Sequence, residues 1–171
     1  MKILKVKHFR QTPDFCGPAS IKIAASYFGF DYTEKELVKL SGCTHKYGTF
    51  HPGMIKAAKA KGFYAFTKEH SSLEDLDYFI NKEKLPVIVG WYSTYGSYAG
   101  EHYAVAIGLD SKHLITSDPE RDESITKMDR EYFPSLWFDF ENKAKTDIVW
   151  RWMIVITPYK RKFKVKGGRY Y

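Results

Sequence analysis

The chain has 171 residues, 44% of them hydrophobic, and a formal net charge of +7, which allows one domain with a real core and is too short for two. No apolar run approaches the length of a bilayer span, Met1 to Lys7 lacks the apolar stretch of a secretion signal, and two cysteines exclude a disulfide framework, so a soluble, cytoplasmic protein is expected. The charge excess is local: Lys160, Arg161, Lys162, Lys164, Lys166 and Arg169 fall in the last twelve residues with no acid among them, leaving the body nearly neutral.

In chain order, residues 11–20 read as a turn entering a helix, with Pro13 and Asp14 before Cys16 and apolar residues at helical spacing from Ile21 to Phe28, stopping at Gly29. Thr33 and Glu36 have capping-box spacing and open a short helix through Leu37, Val38 and Leu40. Cys43, in a Ser-Gly-Cys-Thr turn, reads as structural. Pro52 to Lys61 is a third helix, closed by Gly62. Ser72 with Asp75 begins a fourth, running to about Asn81. Strand signals follow at Val87 to Trp91, His102 to Leu109, His113 to Ser117 and Val149 to Thr157. This order predicts an α+β domain over residues 1–158, N-terminal helices packed on a C-terminal antiparallel sheet, followed by a basic tail, 159–171. The tail reads first as a solvated extension and second as a polyanion-binding segment, with Phe163 and Val165 leaving room for a short edge strand. Gly167-Gly168 reads as a flexible joint.

The candidate chemistry lies in two distant places. Cys16 stands where the turn becomes a helix, and unpaired backbone N–H groups with the helix dipole favour a thiolate there. Far downstream, His102 opens one strand of a hairpin and Asp118 closes the other. An odd loop centred on Asp110 sets the two directly across from each other, close enough for the carboxylate to hold the imidazole in one tautomer; an even loop puts them on opposite faces. Pro119 keeps Asp118 extended. Ala104, Ala106 and Gly108 share the His102 face, leaving room for a helix at close range. Glu101 points to the other face. His8, His45, His51, His70 and His113 show no metal-ligand spacing, and His51 beside Pro52 reads as a helix-start residue. The glycine- and tyrosine-rich loop from Tyr92 to Gly100 adjoins His102 and is a candidate substrate flap. The tryptophans read as core.

Five motifs, in order, give the chain a resemblance to a family: Gln11 with residues 16–20, Gly48-Thr49 with the Gly53–Gly62 stretch, residues 85–89, His102-Tyr103 and Asp118-Pro119. The chain resembles the papain-like cysteine peptidases, and among them the double-glycine peptidases that trim bacteriocin leaders and their stand-alone relatives, over roughly residues 8–140. The resemblance implies a papain-like fold, Cys16 as nucleophile, His102 as general base and then acid, Asp118 as the orienting carboxylate and Gln11 as side-chain donor to the oxyanion. Gln11 departs from the family pattern: it stands five positions before Cys16 where the family usually leaves one residue more, and Phe15 replaces a polar residue. The expected activity is thiol-dependent hydrolysis of a peptide or protein substrate, with a Gly-Gly site as the candidate, no cofactor and no metal. Because the resembled family cuts after paired glycines, self-cleavage at Gly167-Gly168, or its retention in the cleft as a product-like inhibitor, is the alternative to a flexible joint there. Acyl or peptidyl transfer by the same thiol and a silent peptide-binding domain are the alternatives.

Overall fold

The computed structural model describes residues 3–95 and 99–171. Three helices come first: α1 (Cys16–Ser26), α2 (Glu34–Ser41) and α3 (His51–Ala60). Helix α2 starts on the expected capping box, the Thr33 hydroxyl accepting from the Glu36 N–H while the Glu36 carboxylate takes the Thr33 N–H. Pro52 sits in the first turn of α3, and Gly62 follows its end in the left-handed region (φ 81°). Helix α4 (Leu73–Asp77) begins on the Ser72–Asp75 box and continues as a π-helical turn, Tyr78–Lys82, in which the Glu83 N–H donates to the Tyr78 carbonyl at 2.9 Å. A short α5 (Phe133–Leu136) comes later.

The strands are β1 (Tyr64–Lys68), β2 (Val87–Ser93), β3 (Gly100–Leu109), β4 (His113–Ser117), β5 (Thr126–Asp129), β6 (Phe138–Phe140), β7 (Ile148–Trp150), β8 (Met153–Thr157) and β9 (Arg169–Tyr170). Seven form one antiparallel sheet in the order β5-β4-β3-β2-β8-β1-β9, and β6 with β7 makes a separate ribbon beside β2 and β3. Helix α1 packs on β3 and β2. Ile21, Ala24 and Ala25 of the helix and Ala104 and Ala106 of β3 are all buried, small side chains letting helix and sheet approach. The architecture is α+β, with N-terminal helices against an antiparallel sheet.

Several elements differ from the sequence expectation. The single strand expected over Val149 to Thr157 is broken at Arg151, which lies in the left-handed region (φ 55°) and donates its N–H to the Trp137 carbonyl at 2.8 Å. The break sends β7 to the ribbon and β8 to the main sheet. Strands β1, β5 and β6 carry no sequence expectation, and the short edge strand left open at Phe163 and Val165 forms instead at Arg169 and Tyr170, as β9.

Residues 159–171, expected as a solvated tail, are docked on the domain. Phe163 and Val165 turn inward between outward Lys162, Lys164 and Lys166, and Phe163 meets the rings of Phe79 and Phe66 edge-on at 4.9 and 5.5 Å. Arg169 and Tyr170 then add an edge strand to β1. Gly168 lies against the Phe66 ring, where a side chain would collide with it. The Gly-Gly pair is therefore a packed joint rather than a flexible one. Four strand spacings, roughly 19 Å, separate β9 from β3, which places the pair far from Cys16 and argues against self-cleavage within one molecule.

Candidate active site

Cys16 is the first residue of α1 and is half-buried. No side chain caps this helix, no acid lies in its first turn, and Pro18 has no N–H to offer. The Cys16 and Gly17 N–H groups have no protein acceptor among the described residues, so the positive end of the helix is left open at the sulfur. Cys43, by contrast, is buried, donates weakly to the Asp14 carbonyl at 3.7 Å, and burial pushes its thiol up to about 11.

His102 and Asp118 meet by a route the sequence did not show. The turn of the β3–β4 hairpin is even, with four residues between the paired Leu109 and Leu114, and an Asp110 carboxylate oxygen accepting from the Lys112 and His113 N–H groups closes it tightly. Alone, that turn would separate His102 from Asp118. A β-bulge at Ile107 adds one residue to β3, so the register passes from Gly108 opposite Ile115 to Ala106 opposite Thr116. Continuing the register puts Ala104 across from Asp118, and His102, two residues along on the same face, reaches it diagonally. The His102 Nε2 to Asp118 Oδ1 distance is 2.7 Å, with both side chains buried. Beyond the bulge the faces exchange, so Gly108 joins the Val105 face rather than the His102 face.

With Nε2 committed to Asp118, Nδ1 is the ring nitrogen left over, and Cys16 lines the same cleft as His102. Burial alone would lower the basicity of His102, but the Asp118 carboxylate and Cys16 raise it above the ordinary histidine value. Burial would raise Asp118 in turn, yet the His102 ring, the Glu120 N–H and Arg121 hold it below the usual carboxylate range. Trp91, paired with His102 across β2, packs edge-on against the ring at 5.9 Å.

A cleft of about 310 Å³, at the small end of ligand sites, opens over these groups; Cys16, His102, Gln11, Thr49 and Phe140 are among its walls. Gln11 is thus brought to the same place as Cys16 despite the shortened link. Its N–H donates to the Pro119 carbonyl at 2.9 Å, and its side-chain Oε1 is buried without a partner among the described residues. Gly96, Ser97 and Tyr98, the centre of the candidate flap, lie outside the described residues.

The structure also shows a buried ionic cluster that the sequence reading missed. His51, read only as a helix-start residue, donates from Nε2 to Asp139 at 2.7 Å, pairs through Nδ1 with Glu141, and stacks on Trp152 with ring centres 3.9 Å apart. The available signal was Asp139 and Glu141 two apart, which puts both on one face of a strand. Asp139 sits so close to Gly90 that a side chain there would strike its carboxylate. The cluster bolts the β6–β7 ribbon, one wall of the cleft, to the start of α3. Burial would lower His51, but the two carboxylates raise it to about 9, whereas burial raises Asp139. A histidine with a raised folded-state pKa stabilises fully below its unfolded value, about 6.5, and the contribution is lost as pH rises through the folded one. Urea unfolding between pH 6 and pH 9.5 should therefore show wild-type stability falling, and His51→Gln should remove about 2 to 3 kcal/mol of that fall. His102 and, near the top of the range, the Cys43 thiol are also raised and add slope in the same direction. An unchanged slope in the variant would show that His51 carries no proton in this range.

Residues 3–145 match the family described as Peptidase_C39 like, and the chain belongs to that family. Among solved structures it is similar to the peptidase domain of Streptococcus ComA, a bifunctional ABC transporter involved in quorum sensing, at 27% identity and a TM-score of 0.65, covering 91% of this chain and 99% of that one. It is similar in fold to a double glycine motif protease from an AMS/PCAT transporter, solved with its leader peptide, at 20% identity and TM-score 0.64, covering 92% and 94% of the two chains. A C39-like peptidase from Bacillus anthracis shares the fold at 19% identity and TM-score 0.68, covering 94% of this chain and all of the other. No curated protein matches the chain. No helix among the described residues is long and apolar enough to cross a membrane.

Proposed function

We propose that the protein is a cysteine peptidase that cleaves a peptide bond through an acyl-enzyme on Cys16. The observation that carries this reading is the buried His102–Asp118 bond, 2.7 Å from Nε2 to Oδ1, in a cleft that Cys16 and Gln11 also line. The imidazolium and the open end of α1 present the sulfur as thiolate, which attacks the scissile carbonyl. Negative charge developing on the carbonyl oxygen is met by the Cys16 N–H and the Gln11 amide. His102 then gives its proton to the leaving amine, and water, deprotonated by the same ring, releases the acyl group. Asp118 keeps the ring turned throughout and stabilises it whenever it carries the proton.

A small residue before the scissile bond, Gly-Gly foremost, is the specificity we assign, supported by the cleft's small volume and by the double glycine motif named for one fold relative. A reducing, cytoplasmic setting suits the thiol and belongs to the same proposal. The test is mass spectrometry of a mixture of leader-type peptides carrying Gly-Gly, Gly-Ala or Leu-Leu at one position. Cleavage after Gly-Gly that vanishes in Cys16→Ala is expected. No cleavage of any peptide, with Cys16 still rapidly alkylated, would overturn hydrolysis, and release of the acyl group only to an added amine would establish transfer instead.

A further inference from the structure

The side chains of the proposed relay are held by a part of the chain that takes no part in it. Residues 4–11 run alongside the β3–β4 hairpin, crossing it at the two places where its geometry is decided. The first is the bulge. A bulge leaves a backbone group of the extra residue out of the ladder, and the Leu4 N–H fills this gap, donating to the Ile107 carbonyl at 2.9 Å. The second is the turn that begins at Asp118, and His8 dominates it. The ring Nε2 of His8 lies 2.9 Å from the Arg121 carbonyl, and Nδ1 lies 2.9 Å from the Ser117 hydroxyl. A carbonyl only accepts, so Nε2 carries the hydrogen, and Nδ1 accepts from the serine O–H in the neutral ring. Ser117 is fully buried, and this is its one side-chain hydrogen bond among the described residues. Asp118 lies between these two anchor points. Just beyond His8, the Gln11 N–H and the Arg10 guanidinium both reach the Pro119 carbonyl, at 2.9 and 3.3 Å, so the same strap ends at the candidate oxyanion donor.

We propose that His8 is a positioning residue for the reaction centre: by bridging Ser117 to the Arg121 carbonyl it fixes the Asp118 turn, so that the carboxylate stays on the His102 ring and the strap delivers Gln11 to the cleft. This rests on the function proposed above. His8 touches neither the sulfur nor the reacting carbonyl; its influence passes through Asp118. Loosening the turn lets the carboxylate leave the ring part of the time, and His102, still buried, then holds its proton less well.

The test uses two readouts that need no substrate, the NMR titration of the His102 ring and the rate of Cys16 alkylation by iodoacetamide at pH 6. In His8→Ala the His102 midpoint is expected to fall by about one pH unit and the alkylation rate by about tenfold, with His8→Gln, whose amide can replace one of the two bonds, recovering part of both. Asp118→Asn lowers the midpoint by itself, and adding His8→Ala to it is expected to change neither readout further, since both substitutions act through one contact. If His8→Ala fails to fold, Ser117→Ala, which removes only the hydroxyl, carries the test and is expected to move both readouts in the same direction by a smaller amount. A His102 midpoint unmoved in the folded variants, or full additivity with Asp118→Asn, overturns the assignment even where thermal stability falls. A wild-type Cys16 that reacts no faster than free cysteine at pH 6 overturns the peptidase reading and this inference with it. Fast wild-type alkylation with unchanged variants overturns this inference alone.

Discussion

Peptide hydrolysis by His102→Ala is expected to fall by on the order of 10⁴- to 10⁶-fold, close to the loss in Cys16→Ala. The size follows from the ring's two tasks. As an imidazolium it stabilises the thiolate and then protonates the leaving amine, and of the two histidines among the described residues that line the cleft, His102 is buried while His45 is exposed. Cys43 is no substitute for the nucleophile, because burial holds its thiol protonated up to about pH 11. The check is twofold: product formation by mass spectrometry, and alkylation of Cys16 at pH 6, which should drop to the rate of an ordinary thiol. Retention of more than a tenth of wild-type hydrolysis would remove His102 from the mechanism.

Asp118→Asn should cost about 10²- to 10⁴-fold in hydrolysis, and its pH profile is the more telling result. Activity needs the His102 proton, so the alkaline limb of the profile marks where the ring loses it. Asp118 is a main reason that point lies above the ordinary histidine range, and burial pulls the other way. Without the carboxylate charge, burial is left largely unopposed and the limb should move toward acid by one pH unit or more. Asparagine can still accept a hydrogen bond and orient the ring, so Asp118→Ala should be worse than Asp118→Asn in rate. An alkaline limb at the same pH in both variants would show that Asp118 does not tune His102.

What was legible in the sequence was local. The α2 and α4 capping boxes, the proline and glycine that bracket α3, and the helix entered at Cys16 each depend on residues within one or two turns of one another, and each formed where expected. Pairing choices were not legible. Nothing in Ile107 distinguishes it from the apolar residues around it, yet it is the bulge, because the tight turn at Asp110 fixes an even count and the strap residue Leu4 offers a donor for the stranded carbonyl. Strands β5 and β6 are only a few residues long and owe their conformation to the neighbours they pair with. The last thirteen residues misled through composition: their lysines face solvent, while Phe163 and Val165, in the minority, decide where the segment goes. His51 was overlooked because its two acidic partners lie 88 and 90 residues further on.

The bulge also shields the chemistry from change nearby. Ser111 and Lys112 lie on its outer side, with the register around Val105 and Ser117 held on the inner side by residues 4–11. An added or missing residue at the hairpin tip can therefore be taken up there without reaching His102 and Asp118. One lost between Ala104 and Ile107 has nowhere to be absorbed and would turn the histidine away from its carboxylate. Drift in length among descendants of this protein is free at the tip of the hairpin and forbidden along its stem.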